Sequence, residues 1–167
     1  KYLTDRALKK ETIKKFRVGF ALDSWDALLK KLRASGYKDE EIEKAGLIIS
    51  TQTDSGAGSY SKTSRFYDRF RARITFPVMD FSGQVVGFSA RVLPGADEKT
   101  AKYINTPETL IYNKGHLLYG LYQARQEMRQ KNFALAVEGN MDCIMSQQAG
   151  VINTIATSGT ALTQDQL

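Results

Sequence analysis

Apolar residues recur along this chain with two periods, and the period changes partway. Between residues 24 and 36, Trp25, Leu28, Leu29 and Leu32 fall at i, i+3, i+4 and i+7, one face of an α-helix. Ser24 stands at the N-cap position and Gly36 at the stop. This is the clearest amphipathic helix in the chain, with Trp25 assigned to its core stripe. Residues 4–16 also read as helix, in one or two pieces, and residues 18–22 as a short extended segment. Residues 39–45 read as a short acidic helix ending at Gly46, which makes a helical hairpin with the helix before it.

The period then changes to two. Residues 74–80 alternate, residues 81–84 turn, and residues 85–92 alternate again, which predicts a β-hairpin. On its second strand Val86, Phe88, Ala90 and Val92 share one face. Val85, Gly87, Ser89 and Arg91 share the other, so Arg91 stands among small residues where a ligand can approach. Pro77 predicts an edge strand or a bulge. Residues 51–64, rich in Ser, Thr and Gly, read as a mobile loop, and residues 94–100 as a polar one. Residues 102–108 read as extended, 113–115 as a turn, and the stretch to about Arg129 as a helix with Leu121, Ala124 and Met128 on one face.

The last segment is strand, helix, strand. Five apolar residues, 133–137, predict a short buried strand, and Glu138 appears where the run stops. Residues 141–148 read as helix, Ala149-Gly150 as its stop and residues 151–155 as a second strand. That order opens a parallel βαβ sheet. The fold class is therefore α/β (α+β): a mixed first part with an antiparallel hairpin, residues 1–131, and the start of a parallel sheet, residues 132–167. Lys1 is not an initiator methionine, and residues 163–167 read as the first turn of a helix that goes no further. The chain is accordingly expected to be a piece of a longer protein.

Composition narrows the classes. With 42 % hydrophobic and 25 % charged residues among 167, the chain is of an ordinary globular kind. No apolar run approaches the roughly 20 residues of a membrane span. No signal-peptide pattern is present, so the expected location is cytoplasmic. A single cysteine, Cys143, excludes an internal disulfide framework and a Cys-rich zinc site, and reads as a buried structural thiol. The net charge of +6 is concentrated: residues 1–33 hold ten Lys or Arg against four acids. Such a surplus suits a polyanion such as nucleic acid, or else the solvated faces of helices.

Glu138 and Asp142 are the candidates for acid chemistry. An acid where a buried strand gives way to a helix is costly unless something pairs with it, and ligands gather at the carboxyl ends of parallel strands. Carboxylate oxygens suit Mg²⁺, which in turn suits nucleotidyl transfer. The alternative is that Asp142 caps its helix and Glu138 pairs with an arginine. Arg69, Arg71 and Arg73 alternate, so an extended chain puts them on one face, for phosphate or for solvent. Lys102 and Lys114 sit beside turns within reach of phosphates, and Tyr103 and Asn105 flank a segment able to bond a sugar or base. His116, the only histidine, reads as a surface or helix-entry residue. Ser158-Gly159-Thr160 is either an anion-holding turn or an ordinary N-cap.

Seven strings, in order, resemble the RNA polymerase core of bacterial-type DNA primases. They are Tyr67-Asp-Arg-Phe-Arg71, Ile74-Thr-Phe-Pro77, Gly87-Phe-Ser-Ala-Arg-Val92, Lys102-Tyr-Ile-Asn-Thr-Pro-Glu108, Leu118-Tyr-Gly-Leu-Tyr-Gln-Ala124, Val137-Glu-Gly-Asn-Met-Asp142 and Thr157-Ser-Gly-Thr-Ala161. The resemblance covers essentially the whole chain. It implies a basic catalytic-core subdomain followed by the first part of a Toprim domain. The implied activity is template-directed synthesis of short RNA primers on single-stranded DNA from NTPs, with Mg²⁺ or Mn²⁺. It further implies that Arg69, Arg71, Arg91, Lys102, Asn105 and Lys114, with Tyr103 beside them, bind template or nucleotide. Glu138 would be the metal-linked acid or base and Asp142 its second acid. The remaining metal ligands, a zinc module and a module for the replicative helicase would lie outside these residues. Two departures are visible: Asn140 stands where the family's string usually has Tyr, and Ser89-Ala90 replaces Gly-Gly before Arg91. Another Toprim enzyme, a topoisomerase or nuclease, or a non-catalytic module binding single-stranded DNA or nucleotide, are the competing readings.

Overall fold

The computed structural model describes residues 1–51, 65–97, 99–159 and 162–166. The expected mobile loop of residues 51–64 falls almost wholly outside them. The helix read over residues 4–16, in one or two pieces, forms as two short ones, α1 (Tyr2–Asp5) and α2 (Lys10–Lys15); the chain turns between them through Ala7 at φ 60°. A four-stranded sheet follows in the order β1 (Gly19–Ala21), β4 (Arg73–Met79), β5 (Val85–Val92), β6 (Tyr103–Asn105). All its pairings are antiparallel. The hairpin β4–β5 is the one that the alternation predicts. Pro77 lies past the three residues of β4 that β1 covers, and the register slips at Val78/Met79. The ring thus falls where no neighbour on that side needs its missing N–H.

The helical hairpin forms as α3 (Ala27–Ala34) and α4 (Asp39–Lys44), with Leu29, Ile42 and Ile48 closing a small core of their own. Strands β2 (Ile48–Thr51) and β3 (Arg65–Asp68) pair antiparallel beside it. Three expectations fail here. Helix α3 begins at Ala27, not after Ser24, and Trp25 is 66 % exposed rather than in the core. The three arginines do not share a face. β3 ends at Asp68, the chain turns at Ala72 with φ 49°, and β4 starts only at Arg73.

Helix α5 (Leu121–Lys131) packs Leu121, Ala124 and Met128 toward Leu118 and Ile155, as its stripe predicts. Beyond it β7 (Leu135–Val137), α6 (Asn140–Gln148) and β8 (Thr154–Ala156) form the parallel unit. β7 is shorter and less buried than its five apolar residues predict: Phe133 and Leu135 are exposed, because among the described residues β7 pairs only with β8. The second strand lies at 154–156, since Ile152 and Asn153 still belong to the turn after α6. Residues Gln164–Gln166 form a 3₁₀ turn that docks back on the 114–117 loop.

The largest core joins Phe16, Phe76, Tyr119, Cys143, Ile144 and Ala156, so it runs across residue 131. Each fully buried aromatic side chain there contributes roughly 2–3 kcal/mol. Cys143 is fully buried, as expected of a structural thiol. Among the described residues no helix is long and apolar enough to cross a membrane.

Candidate functional site

Strand β7 ends at Val137 and delivers Glu138 to the rim of the parallel unit. Gly139 follows in extended conformation (φ −111°) and is the N-cap of α6. Asp142 lies in the first turn of that helix, where a negative charge meets the positive end of the helix dipole. The N-cap position itself, held by Gly139, has no side-chain capping bond. Both carboxylates are exposed, and neither takes part in an ion pair among the described residues. Neither acid therefore has an arginine partner among the described residues.

Glu138 and Asp142 face a cavity of about 480 Å³. Tyr103 and Asn105 enter it from β6, Ser89 from β5, and Lys114 from the turn after Asn113. Asn140, Ser158 and Gly159 complete the lining. Of the predicted site residues, the fold thus gathers Glu138, Asp142, Tyr103, Asn105 and Lys114. Asn105 Oδ1 is buried and has no hydrogen-bond partner. An unmet buried acceptor costs about 1–3 kcal/mol, which a donor on a ligand would recover. The turn bearing Lys114 is fixed at both ends: its N–H donates to Glu108 Oε1 (3.1 Å), and its carbonyl accepts from Gln166 Nε2 (3.2 Å). His116 is at the surface, as read, with its Nε2 3.0 Å from an Asp165 carboxylate oxygen.

The arginines are dispersed around this cavity rather than ranked on one strand. Arg91 borders it through Tyr103: its Nη1 donates to the Tyr103 hydroxyl (3.1 Å), and its guanidinium stands 5.5 Å from the ring centres of both Tyr103 and Tyr2. Arg69 is half-buried with Nε unpaired, and burial holds its pKa below the usual arginine value. Arg73 is turned inward, donating to the Ala101 carbonyl at 2.9 Å. Lys102 is exposed and does not line the cavity.

Arg71 builds something that the sequence pattern does not announce. Its guanidinium lies 4.1 Å from the Trp25 ring centre and 5.0 Å from that of Tyr67, and it donates to the Asp68 carbonyl. Trp25 and Tyr67 meet edge to face at 5.5 Å. The result is an exposed aromatic and cationic platform of the kind on which nucleic-acid bases stack. The sequence assigned Trp25 to a helix core and gave Tyr67 no role of its own, because only the return of β3 beside α3 brings them together.

Two free carboxylates are hard oxygen donors. They fit a cation that keeps several waters and takes one or two protein carboxylates, as Mg²⁺ does. Among the described residues no group of three or more His, Cys, Asp or Glu stands ready to hold a metal, so the pair is part of a donor set rather than a closed cage.

The family described as the DNA primase catalytic core, N-terminal domain, matches residues 1–125. The DNA primase of Clostridium acetobutylicum is 42 % identical over 166 residues, 99 % of this chain and 25 % of that protein. The crystal structure of the RNA polymerase domain of Mycobacterium tuberculosis primase DnaG superposes with a TM-score of 0.86 at 38 % identity, over 99 % of this chain and 50 % of that one. A DnaG primase catalytic domain bound to single-stranded DNA gives a TM-score of 0.81 at 40 % identity, over 99 % and 47 %. The chain thus spans about a quarter of the length of the curated relatives that it matches.

Proposed function

The chain belongs to the DNA primase catalytic-core family, and from that membership we propose that it supplies the amino-terminal part of an enzyme making short RNA primers on single-stranded DNA. Residues 1–131 act as the basic subdomain that receives template and nucleotide. Residues 132–167 act as the first part of a Toprim domain. The observation that carries this reading is the convergence of two unpaired carboxylates, Glu138 and Asp142, with Lys114, Tyr103 and Asn105 on one cavity.

In this reading Glu138 and Asp142 hold Mg²⁺ or Mn²⁺ together with donors outside these residues. When bound, the ion neutralises charge on the NTP phosphates. Lys114 meets phosphate, and Asn105 and Tyr103 orient sugar or base. Arg91 keeps Tyr103 in place while adding positive charge. Arg69, Arg71 and Lys102 extend the cationic surface along which template runs, and Trp25 offers a face for stacking. A relative's catalytic domain bound to single-stranded DNA supports the choice of template. The replicative helicase would be engaged, at a cytoplasmic replication fork, through a segment outside this chain.

The test is primer synthesis by the full-length protein on single-stranded DNA with Mg²⁺ and NTPs. Glu138→Gln, which keeps size and loses charge, is expected to reduce synthesis at least a hundredfold, in line with the several kcal/mol that metal-assisted charge stabilisation supplies. Wild-type rates from that variant would remove Glu138 from the chemistry. A second reading is favoured for these residues alone by the platform of Trp25, Tyr67 and Arg71. In that reading the chain binds single-stranded DNA without polymerising, and the binding weakens steeply with salt.

A further inference from the structure

Above the two carboxylates the chain makes a turn that the proposed chemistry does not use. Strand β8 ends at Ala156, and residues 157–159 fold over the turn between β7 and α6. Two backbone bonds hold them there: Thr157 N–H donates to the Val137 carbonyl and Gly159 N–H to the Glu138 carbonyl, each at 3.2 Å. A third bond is between side chains. Ser158 Oγ donates to Asn140 Oδ1 at 2.7 Å, and Asn140 is only 4 % exposed. Ser158 has φ 58°, a left-handed conformation that glycine adopts more readily. A side chain kept at such a position, with its hydroxyl spent on one buried amide, implies that the bond matters more than the ease of the turn.

We propose that the Ser158–Asn140 hydrogen bond is a positioning clamp that keeps Glu138 and Asp142 aimed together into their cavity. The geometry explains how. Asn140 is the first residue of α6, between the two acids, and its side chain decides how the start of the helix rotates beneath the 157–159 turn. Glu138 is held through its carbonyl by Gly159, and Asp142 by the helix turn that Asn140 begins. Releasing the amide frees the helix start and lets the two carboxylates move independently. Asn140 and Ser158 line the cavity, but the clamp assigns them no contact with a reacting atom; they are positioning residues acting through the acids. The clamp rests on the reading of Glu138 and Asp142 as cation ligands. Partners that orient metal ligands typically change affinity by roughly 10–100-fold when removed.

The experiment is a Mn²⁺ titration of the full-length protein, followed by electron paramagnetic resonance, with thermal unfolding measured alongside. Ser158→Gly removes the hydroxyl and relieves the left-handed backbone, so a purely structural role predicts unchanged Mn²⁺ affinity and an unchanged or higher Tm. The clamp predicts Mn²⁺ affinity lowered about tenfold without a lower Tm. Asn140→Ala should give a similar loss of affinity, and the double variant no more than either alone. Wild-type affinity in Ser158→Gly, or additive losses in the double variant, would overturn the clamp while Glu138→Gln still abolishes binding. Wild-type Mn²⁺ affinity in Glu138→Gln would overturn the ligand reading and the clamp with it.

Discussion

Gly139 has no side chain, and the structure shows what one would displace. A Cβ built there would come within 2.6 Å of Asp142 Oδ2. The backbone at Gly139 is ordinary extended chain, so alanine fits its φ and ψ without strain; only the carboxylate has to move. Gly139→Ala is therefore expected to leave the thermal midpoint within a few degrees of wild type and lower primer synthesis by the full-length protein about tenfold or more, since a displacement of an ångström at a positioned group costs on that order or above. The spacing of Glu138, Gly139 and Asp142 is visible in the sequence, and so was the candidacy of the two acids. The reason for the glycine was not, because it depends on where the Asp142 side chain lies in the folded helix. Full activity in the alanine variant would show that Asp142 does not need that place.

At the scale of elements, the start of α3 depends on a residue 40 positions away. Asp68, the last residue of β3 and 2 % exposed, accepts from Leu28 N–H at 2.7 Å and Leu29 N–H at 2.9 Å. Its own N–H donates to the Trp25 carbonyl at 2.7 Å. A carboxylate at a helix N-terminus meets unpaired donors and a favourable dipole, so Asp68 takes the place that local spacing assigned to Ser24. This explains which elements were legible. The β4–β5 hairpin and the β7–α6–β8 unit rest on periods within a few residues; the hairpin forms as read, and the parallel unit forms in the expected order with shorter strands and a β7 more exposed than expected. The true start of α3, the exposure of Trp25 and the fanning of Arg69, Arg71 and Arg73 depend on β3 returning beside α3 and on the left-handed turn at Ala72. Asp68→Ala leaves two helix donors unmet and should lower stability by about 2–3 kcal/mol in urea. It should also loosen the Trp25–Tyr67 contact, which the emission of the only tryptophan reports. Asp68→Asn keeps an acceptor and should cost less. Equal losses in the two variants would deny Asp68 its capping role.

Across the whole molecule, the main core ties the first residues of the chain to the parallel unit. Phe16 stacks on Tyr119 with ring centres 6.0 Å apart, and Tyr119 meets Phe76 edge to face at 6.5 Å. The Tyr119 backbone exchanges two 2.9 Å hydrogen bonds with Ala156 of β8. Lys9 N–H donates to Gln148 Oε1 at 2.8 Å, and Gln148 Nε2 donates to the Ala7 carbonyl at 2.9 Å, joining the start of α2 to α6. A core continuous in this way should unfold in one step, and its tyrosines make that step sensitive to alkali. Burial pushes the Tyr112 hydroxyl from 10.0 up to about 12, with Glu108 adding to the effect. Burial also raises Tyr119 well above 10.0, and its hydroxyl has no hydrogen-bond partner. Below pH 10 both groups hold their protons in the folded and the unfolded chain, and their contribution is fully present. Above pH 10 the unfolded chain loses protons that the native one keeps, so stability must fall as pH rises, by up to about 1.4 kcal/mol per pH unit per group. For Tyr112 the loss should run from about pH 10 to its folded value of about 12, and for Tyr119 further. Urea midpoints at pH 8, 10 and 11 measure this fall, and tyrosinate absorbance should show two tyrosines ionising only on unfolding. Tyr119→Phe removes a hydroxyl without a partner, so it should cost little at pH 8 and flatten the alkaline slope. A slope as steep as wild type in that variant would mean that Tyr119 already ionises freely in the folded core.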